Sequence, residues 1–209
     1  MGYSTDEKRA ILKICSLFMI VDGTCHESEQ ALLNKVYKEM NVNDSVKKEV
    51  LDYCVSIAAA MERGDNSAQV ISEIDKILDN LTDFNLKKVS PEKNRFMPFY
   101  MRGDPTAQAN LLWTLINLGY ADKAYTSAER KVVWHLAKIW NINKDLVAEF
   151  EDTADTILLL TNQQAWLKNE SGWGYDQINE RLKEIDKQIE LMSKNLQTSI
   201  SEIDVMGGK

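Results

Sequence analysis

The chain has 209 residues, 44% hydrophobic and 27% charged, and its 32 acidic and 25 basic side chains give a formal net charge of −7. That length can bury one sizeable core or two small ones. The acidic balance argues against a nucleic-acid partner, whose phosphates need clustered Lys and Arg, and no apolar run approaches the roughly 18 residues needed to span a bilayer.

Cys15, Cys25 and Cys54 are the only cysteines, and an odd, irregular set does not suggest a disulfide framework. The opening MGYSTDEKRAILK lacks the long apolar stretch and cleavage site of a secretory signal. Asp6 stands where a Gly2 myristoylation pattern needs Ser or Thr. A cytoplasmic location is the simplest expectation.

The chain reads as all-α. No proline occurs between Tyr3 and Val89, so long stretches are left unbroken. Ile11, Ile14, Cys15 and Phe18 keep helical spacing, as do Leu32, Leu33, Val36 and Met40. Val50, Cys54, Ile57 and Ala58 predict a third helix, and Ile71, Ile74, Ile77, Leu78 and Leu81 a fourth. Gly64 is expected to close one helix in a left-handed conformation, with Asp65 or Asn66 capping the next. Gly103, Asp104 and Pro105 repeat that logic as stop, cap and first helical residue. Both sites spell Arg-Gly-Asp, which reads as helix punctuation and not as an adhesion signal.

Residues 83–104 mix Lys87, Lys88, Pro91, Lys93 and Pro98 with Phe96, Phe99 and Tyr100. This is the expected connection between a first helical unit, residues 1–82, and a second, residues 105–169. Trp113, Trp134 and Trp140 in the second unit fall at core spacing, so packing is favoured over a binding surface. After Ser171-Gly172-Trp173-Gly174, residues 175–205 predict one long helix. There Ile178, Leu182, Ile185, Ile189, Met192 and Leu196 alternate spacings of four and three. Such a seam suits self-association, a protein partner, or folding back on the chain's own body, and its narrowness favours coiled-coil pairing.

The two units repeat at a spacing of 100 residues. Asp22 to Glu29 (DGTCHESE) lies over Asp122 to Glu129 (DKAYTSAE), and Met40-Asn41-Val42-Asn43 over Trp140-Asn141-Ile142-Asn143. Apolar positions stay apolar while exposed ones change, as two copies of one helical unit require. In each copy an Asp precedes a turn and a Glu follows seven residues later at the head of a helix. Asp22, Glu29, Asp122 and Glu129 are therefore candidate ligands for a divalent cation, calcium or magnesium. Lys123, in place of the glycine, would oppose a cation in the second copy. The competing reading is capping: Thr126-Ser127-Ala128-Glu129 has the S/T-x-x-E pattern, in which the Glu bonds back to the backbone. The loops are too poor in oxygen ligands for an EF-hand. Cys25-His26 lacks the further thiols or imidazoles that zinc needs. No nucleotide loop, nucleophile elbow or other catalytic constellation is visible, so no enzyme is expected.

An apolar helix ending in Val21-Asp22-Gly23, then a polar turn, Glu29 and a helix bearing Leu32, Leu33 and Val36 resembles the TerB-like, tellurite-resistance superfamily. The second copy matches through Asp122 and Glu129 without the glycine. The resemblance covers about residues 8–60 and 108–160. It implies an all-helical fold, metal binding at the acids, and a place in bacterial stress-response or defence assemblies. Together these readings lead to a tandem interaction or adaptor module. The alternative is a divalent-ion sensor built on the acidic loops.

Overall fold

The computed structural model describes residues 5–86 and 105–206, with side chains over residues 5–81 and 105–203. Of the expected connection, residues 83–104, residues 83–86 instead continue the helix Ser67–Leu86, and residues 87–104 lie outside the described residues. Helices follow in the order α1 (Thr5–Phe18), α2 (Glu27–Glu39), α3 (Asp44–Ala58), α4 (Ser67–Leu86) and α5 (Pro105–Gly119). A 3-10 turn (Tyr120–Asp122) then leads to α6 (Ser127–Ile139), α7 (Lys144–Asn169) and α8 (Tyr175–Met206). Among the described residues there is no strand, and no helix is long and apolar enough to cross a membrane.

Two compact units divide at residue 142: Met1–Ile142 and Asn143–Lys209. In the first, α1 is central and packs against α2, α3, α4 and α5. Its second half explains why: Ile14, Cys15, Leu17 and Phe18 are all buried together with the polar Ser16, so the helix is enclosed there on every side. Enclosure favours such a helix end, since each buried Ile, Leu or Phe side chain contributes about 1.5–3 kcal/mol. The surrounding helices present single stripes, Val46, Val50 and Cys54 on α3 and Val70, Ile74 and Ile77 on α4. The α4 stripe therefore leads with Val70, and Ile71 is only half-buried. On the other side, α5 and α6 pack together and α6 reaches α4.

The same local devices stand 100 residues apart. Asn41 (φ 48°) and Asn141 (φ 54°) are left-handed after α2 and α6. Asn43 and Asn143 cap α3 and α7 by accepting the N–H groups of Val46 and Asp145. Asparagine suits both tasks, since its short amide tolerates the left-handed region and accepts from a helix start. Gly64 behaves differently from expectation. The end of α3 is closed by Ala59 in a right-handed conformation, and Gly64 (φ 126°) lies in the loop beyond. Its neighbour Asp65 accepts the N–H of Ser67 at the head of α4.

In the second unit α8 folds back on α7. Gln164 Nε2 donates to Asp186 Oδ1 at 2.6 Å and Ser199 Oγ to Glu149 Oε1 at 3.1 Å, so the two helices run antiparallel. Ile185 and Leu196 of the seven-residue pattern are buried, with Ile200 beside them. Ile178, Leu182, Ile189 and Met192 are half-buried.

Candidate acidic loop junction

Each acidic loop is built from the end of one helix and the cap of the next. After α1, Gly23 turns the chain with φ 79°. Asp22 Oδ1 then accepts the backbone N–H of Thr24 at 2.8 Å and its hydroxyl at 2.7 Å. A short acidic side chain closes such a turn on its own backbone. The peptide groups on either side are used as well: Asp22 O accepts Gly64 N–H and Val21 O accepts Asn66 N–H, at 2.9 and 2.8 Å. This docks the α3–α4 loop onto the acidic loop. A Cβ at Gly23 would lie 2.5 Å from Glu62 O, so glycine is needed there for space as well as for conformation.

In the second loop Lys123 takes the left-handed position with φ 71°, and Asp122 Oδ1 accepts the N–H of Ala124 at 2.9 Å. The two loops reach the same local form with different residues at the turn.

The glutamates sit at the third position of α2 and α6 and are almost wholly buried, at 3% and 4% exposure. Glu129 Oε2 accepts the N–H of Thr126, while Thr126 Oγ1 accepts the N–H of Glu129 at 3.2 Å. That is the reciprocal box its sequence announces. The first loop makes half of it. Glu29 Oε2 accepts the N–H of His26 at 2.7 Å, but the His26 ring turns toward Thr24 Oγ1 and Asp122. Gly119 makes room for the second glutamate, because a Cβ there would meet the Tyr125 ring at 2.5 Å and Glu129 Oε1 at 3.1 Å.

The two loops meet. His26 Nε2 lies 3.2 Å from Asp122 Oδ2, and the Asp122 side chain is only 11% exposed. Burial, then the nearby charges of Asp122 and Asp22, push the Glu29 carboxyl up to about 7 against the lowering pull of its backbone hydrogen bond. Glu129 is pushed up to about 7 by burial first, opposed by its bonds to Thr126, with Glu29 and Asp122 adding to the rise. All four acids singled out in sequence thus belong to one junction. Among the described residues, however, no three His, Cys, Asp or Glu side chains are disposed to hold a metal ion. Both glutamates and both aspartates already accept backbone N–H groups.

Burial pushes the thiols of Cys15 and Cys54 up to about 12 and 11. Cys25 is raised by partial burial first and then by Glu29 and Asp22, outweighing the lowering bond from Gln30. A thiol held protonated is a poor nucleophile. His135 Nε2 lies 2.8 Å from Asp75 Oδ1, a contact joining α6 to α4. Lys131 pairs with Asp65. These two cross-links and the His26–Asp122 contact are absent from any sequence pattern, since each joins residues about 60 or more positions apart whose proximity depends on helix packing.

No family model, curated protein or solved structure matches this chain.

Proposed function

We propose that this chain is a non-enzymatic protein-interaction module, built of two TerB-like helical units in tandem and acting in a bacterial stress-response or defence assembly. One observation carries the reading. The acids that the sequence offers for chemistry are spent on closing turns and helix starts, while large apolar side chains stand in solvent. Leu159, Trp166, Trp173 and Leu191 are 62%, 45%, 49% and 56% exposed. Exposed apolar groups gathered on one hairpin, here on α7, the α7–α8 loop and α8, mark an interaction surface more often than a reaction site. The tandem reading is supported by the recurrence of left-handed Asn41 and Asn141, caps Asn43 and Asn143, and thirteen-residue helices α2 and α6. The test is co-purification of the tagged chain from its own cells, followed by reconstitution from two purified components. A partner that rebinds in the purified pair is the expected result. Failure to recover any component that rebinds would sink the reading.

A second reading is a divalent-ion sensor, favoured by the convergence of Asp22, Glu29, Asp122 and Glu129 on one junction. Calcium or magnesium would draw the two loops together and fix the hinges ahead of α2 and α6. Titration calorimetry of either ion into chelator-treated protein separates the readings. Saturable heat that disappears in Asp22→Asn supports the sensor. No saturable heat leaves the acids as caps.

A further inference from the structure

The α7–α8 hairpin has one broad face with a consistent layout. Asp145, Asp152, Leu159 and Trp166 succeed one another every seven residues on α7, and Gln177, Glu184 and Leu191 do so on α8. Residues seven apart lie two turns apart on one side of a helix. Contacts tie these strips together. The rings of Trp166 and Trp173 meet edge-on, 6.5 Å between centres. Trp173 borders a hollow with Gln177, Glu180, Arg181 and Glu184, and Met192 borders another with Asp145, Glu149 and Asp152. The face therefore runs from an acidic hollow, across Leu159 and Leu191, to an aromatic corner beside Glu180 and Glu184. The charge is lopsided along the chain. Residues 143–209 hold 13 acidic and 7 basic side chains, so nearly all of the net charge of −7 belongs to this unit.

We infer that this face of the hairpin docks a basic amphipathic helix of a partner protein. The inference rests on the reading of the chain as an interaction module and names the chemistry of its partner. An apolar strip between two helices accepts the apolar side of a third helix through residues spaced three and four apart. The acidic groups Asp145, Glu149 and Asp152 at one end select Lys and Arg on that helix's flanks and steer its approach, while at the other end Glu184 is paired with Arg181 at 2.7 Å and Glu180 adds to the acidic balance. A second copy of this chain is the weaker occupant, because it would bring the same acidic excess against itself. The strip along α7 from Asp145 to Trp166, about 32 Å at 1.5 Å per residue, has room for several turns of a partner helix.

The full chain is titrated with a synthetic peptide of about 20 residues bearing Leu on one helical face and Lys on the other, long enough to span several turns. A counterpart with Glu in place of Lys is the control. Binding is read by calorimetry and by tryptophan fluorescence. The expected result is saturable binding of the lysine peptide alone. It should weaken at least tenfold in the double variant Leu159→Ser, Leu191→Ser and several-fold in Asp152→Lys. Leu51→Ser with Val55→Ser, exposed on α3, should leave it unchanged. The substituted leucines are more than half exposed, so circular dichroism should show the fold retained. Three results would overturn the proposal: no binding of the lysine peptide, equal binding of the glutamate peptide, or indifference to the hairpin variants. Light scattering that shows a dimer dissolved by Leu159→Ser would give the face to a second copy and also overturn it. A reconstituted partner that still binds the double variant would spare the module reading while removing this surface from it.

Discussion

Glu29 and Glu129, 100 residues apart in sequence, lie close enough at the loop junction for the charge on Glu29 to oppose ionisation of Glu129. Both carboxyls are buried and rise from the ordinary 4.5 to about 7. The unfolded chain releases these protons near pH 4.5, and the folded chain holds them until about pH 7. Their contribution is therefore fully present below pH 4.5 and is lost as the pH rises toward 7, beyond which the curve flattens. Each group is worth on the order of 1–3 kcal/mol across that window. Melting temperatures measured between pH 5 and 8 should fall with rising pH. Glu29→Gln with Glu129→Gln should flatten the slope, because glutamine keeps the capping geometry without the charge. A slope that persists in the double variant would place the titration elsewhere.

Local chemistry was readable in the sequence, and proximity was not. The Thr126–Glu129 box follows from neighbours within one helical turn, and the structure has both of its bonds. Helical spacing found Ile14, Cys15 and Phe18 of α1 and Val50 and Cys54 of α3, but Ile11, Ile57 and Ala58 are only half-buried, and Leu12, Leu17 and Val46 are buried instead. Gly64 misled because a glycine that can end a helix can equally serve a loop, and Ala59 ends α3 without it. The His26–Asp122 contact had no signal at all. Its 3.2 Å separation is set by how α2 and α5 pack, which no local pattern encodes. The same holds for α8, whose seven-residue pattern would serve a partner chain as well as it serves α7.

Gly23 and Lys123 occupy the same backbone conformation with opposite consequences. Gly23→Ala brings a Cβ within 2.5 Å of Glu62 O and adds left-handed strain at φ 79°. The expected cost exceeds the ~1 kcal/mol typical of the conformation alone, because the α3–α4 loop must also move. Lys123→Gly relieves a left-handed non-glycine residue and should stabilise by up to about 1 kcal/mol. Urea denaturation of both variants measures this. Equal effects, or a stabilising Gly23→Ala, would contradict the close approach.

The two helix starts are unequal, and cap substitutions should show it. Thr126→Ala removes a hydroxyl that accepts Glu129 N–H and should cost about 0.5–2 kcal/mol. His26→Ala removes no such bond, only the contacts of a half-exposed ring with Asp122 and Thr24 Oγ1. It should cost less than about 1 kcal/mol, since a half-exposed ring that makes no cap bond contributes little. Both are read from the shift in urea midpoint at pH 7. A larger loss from His26→Ala would mean that the contact between the loops outweighs the cap.

The long C-terminal helix gives the sharpest contrast between pattern and packing. By spacing alone Ile185 and Ile189 are equivalent seam positions. In the hairpin Ile185 is fully buried and Ile189 only half-buried, while Leu191 is 56% exposed. Ile185→Ala should therefore cost about 2–5 kcal/mol, Ile189→Ala clearly less, and Leu191→Ala within about 0.5 kcal/mol of nothing. A chain whose seam is filled by its own α7 melts at a temperature independent of protein concentration. A seam filled by a second chain makes that temperature climb with concentration. Thermal melts over a hundredfold concentration range, run on the parent and on Ile185→Ala, distinguish the two. Equal losses at Ile185 and Ile189 together with a climbing melting temperature would replace the hairpin by an intermolecular coil.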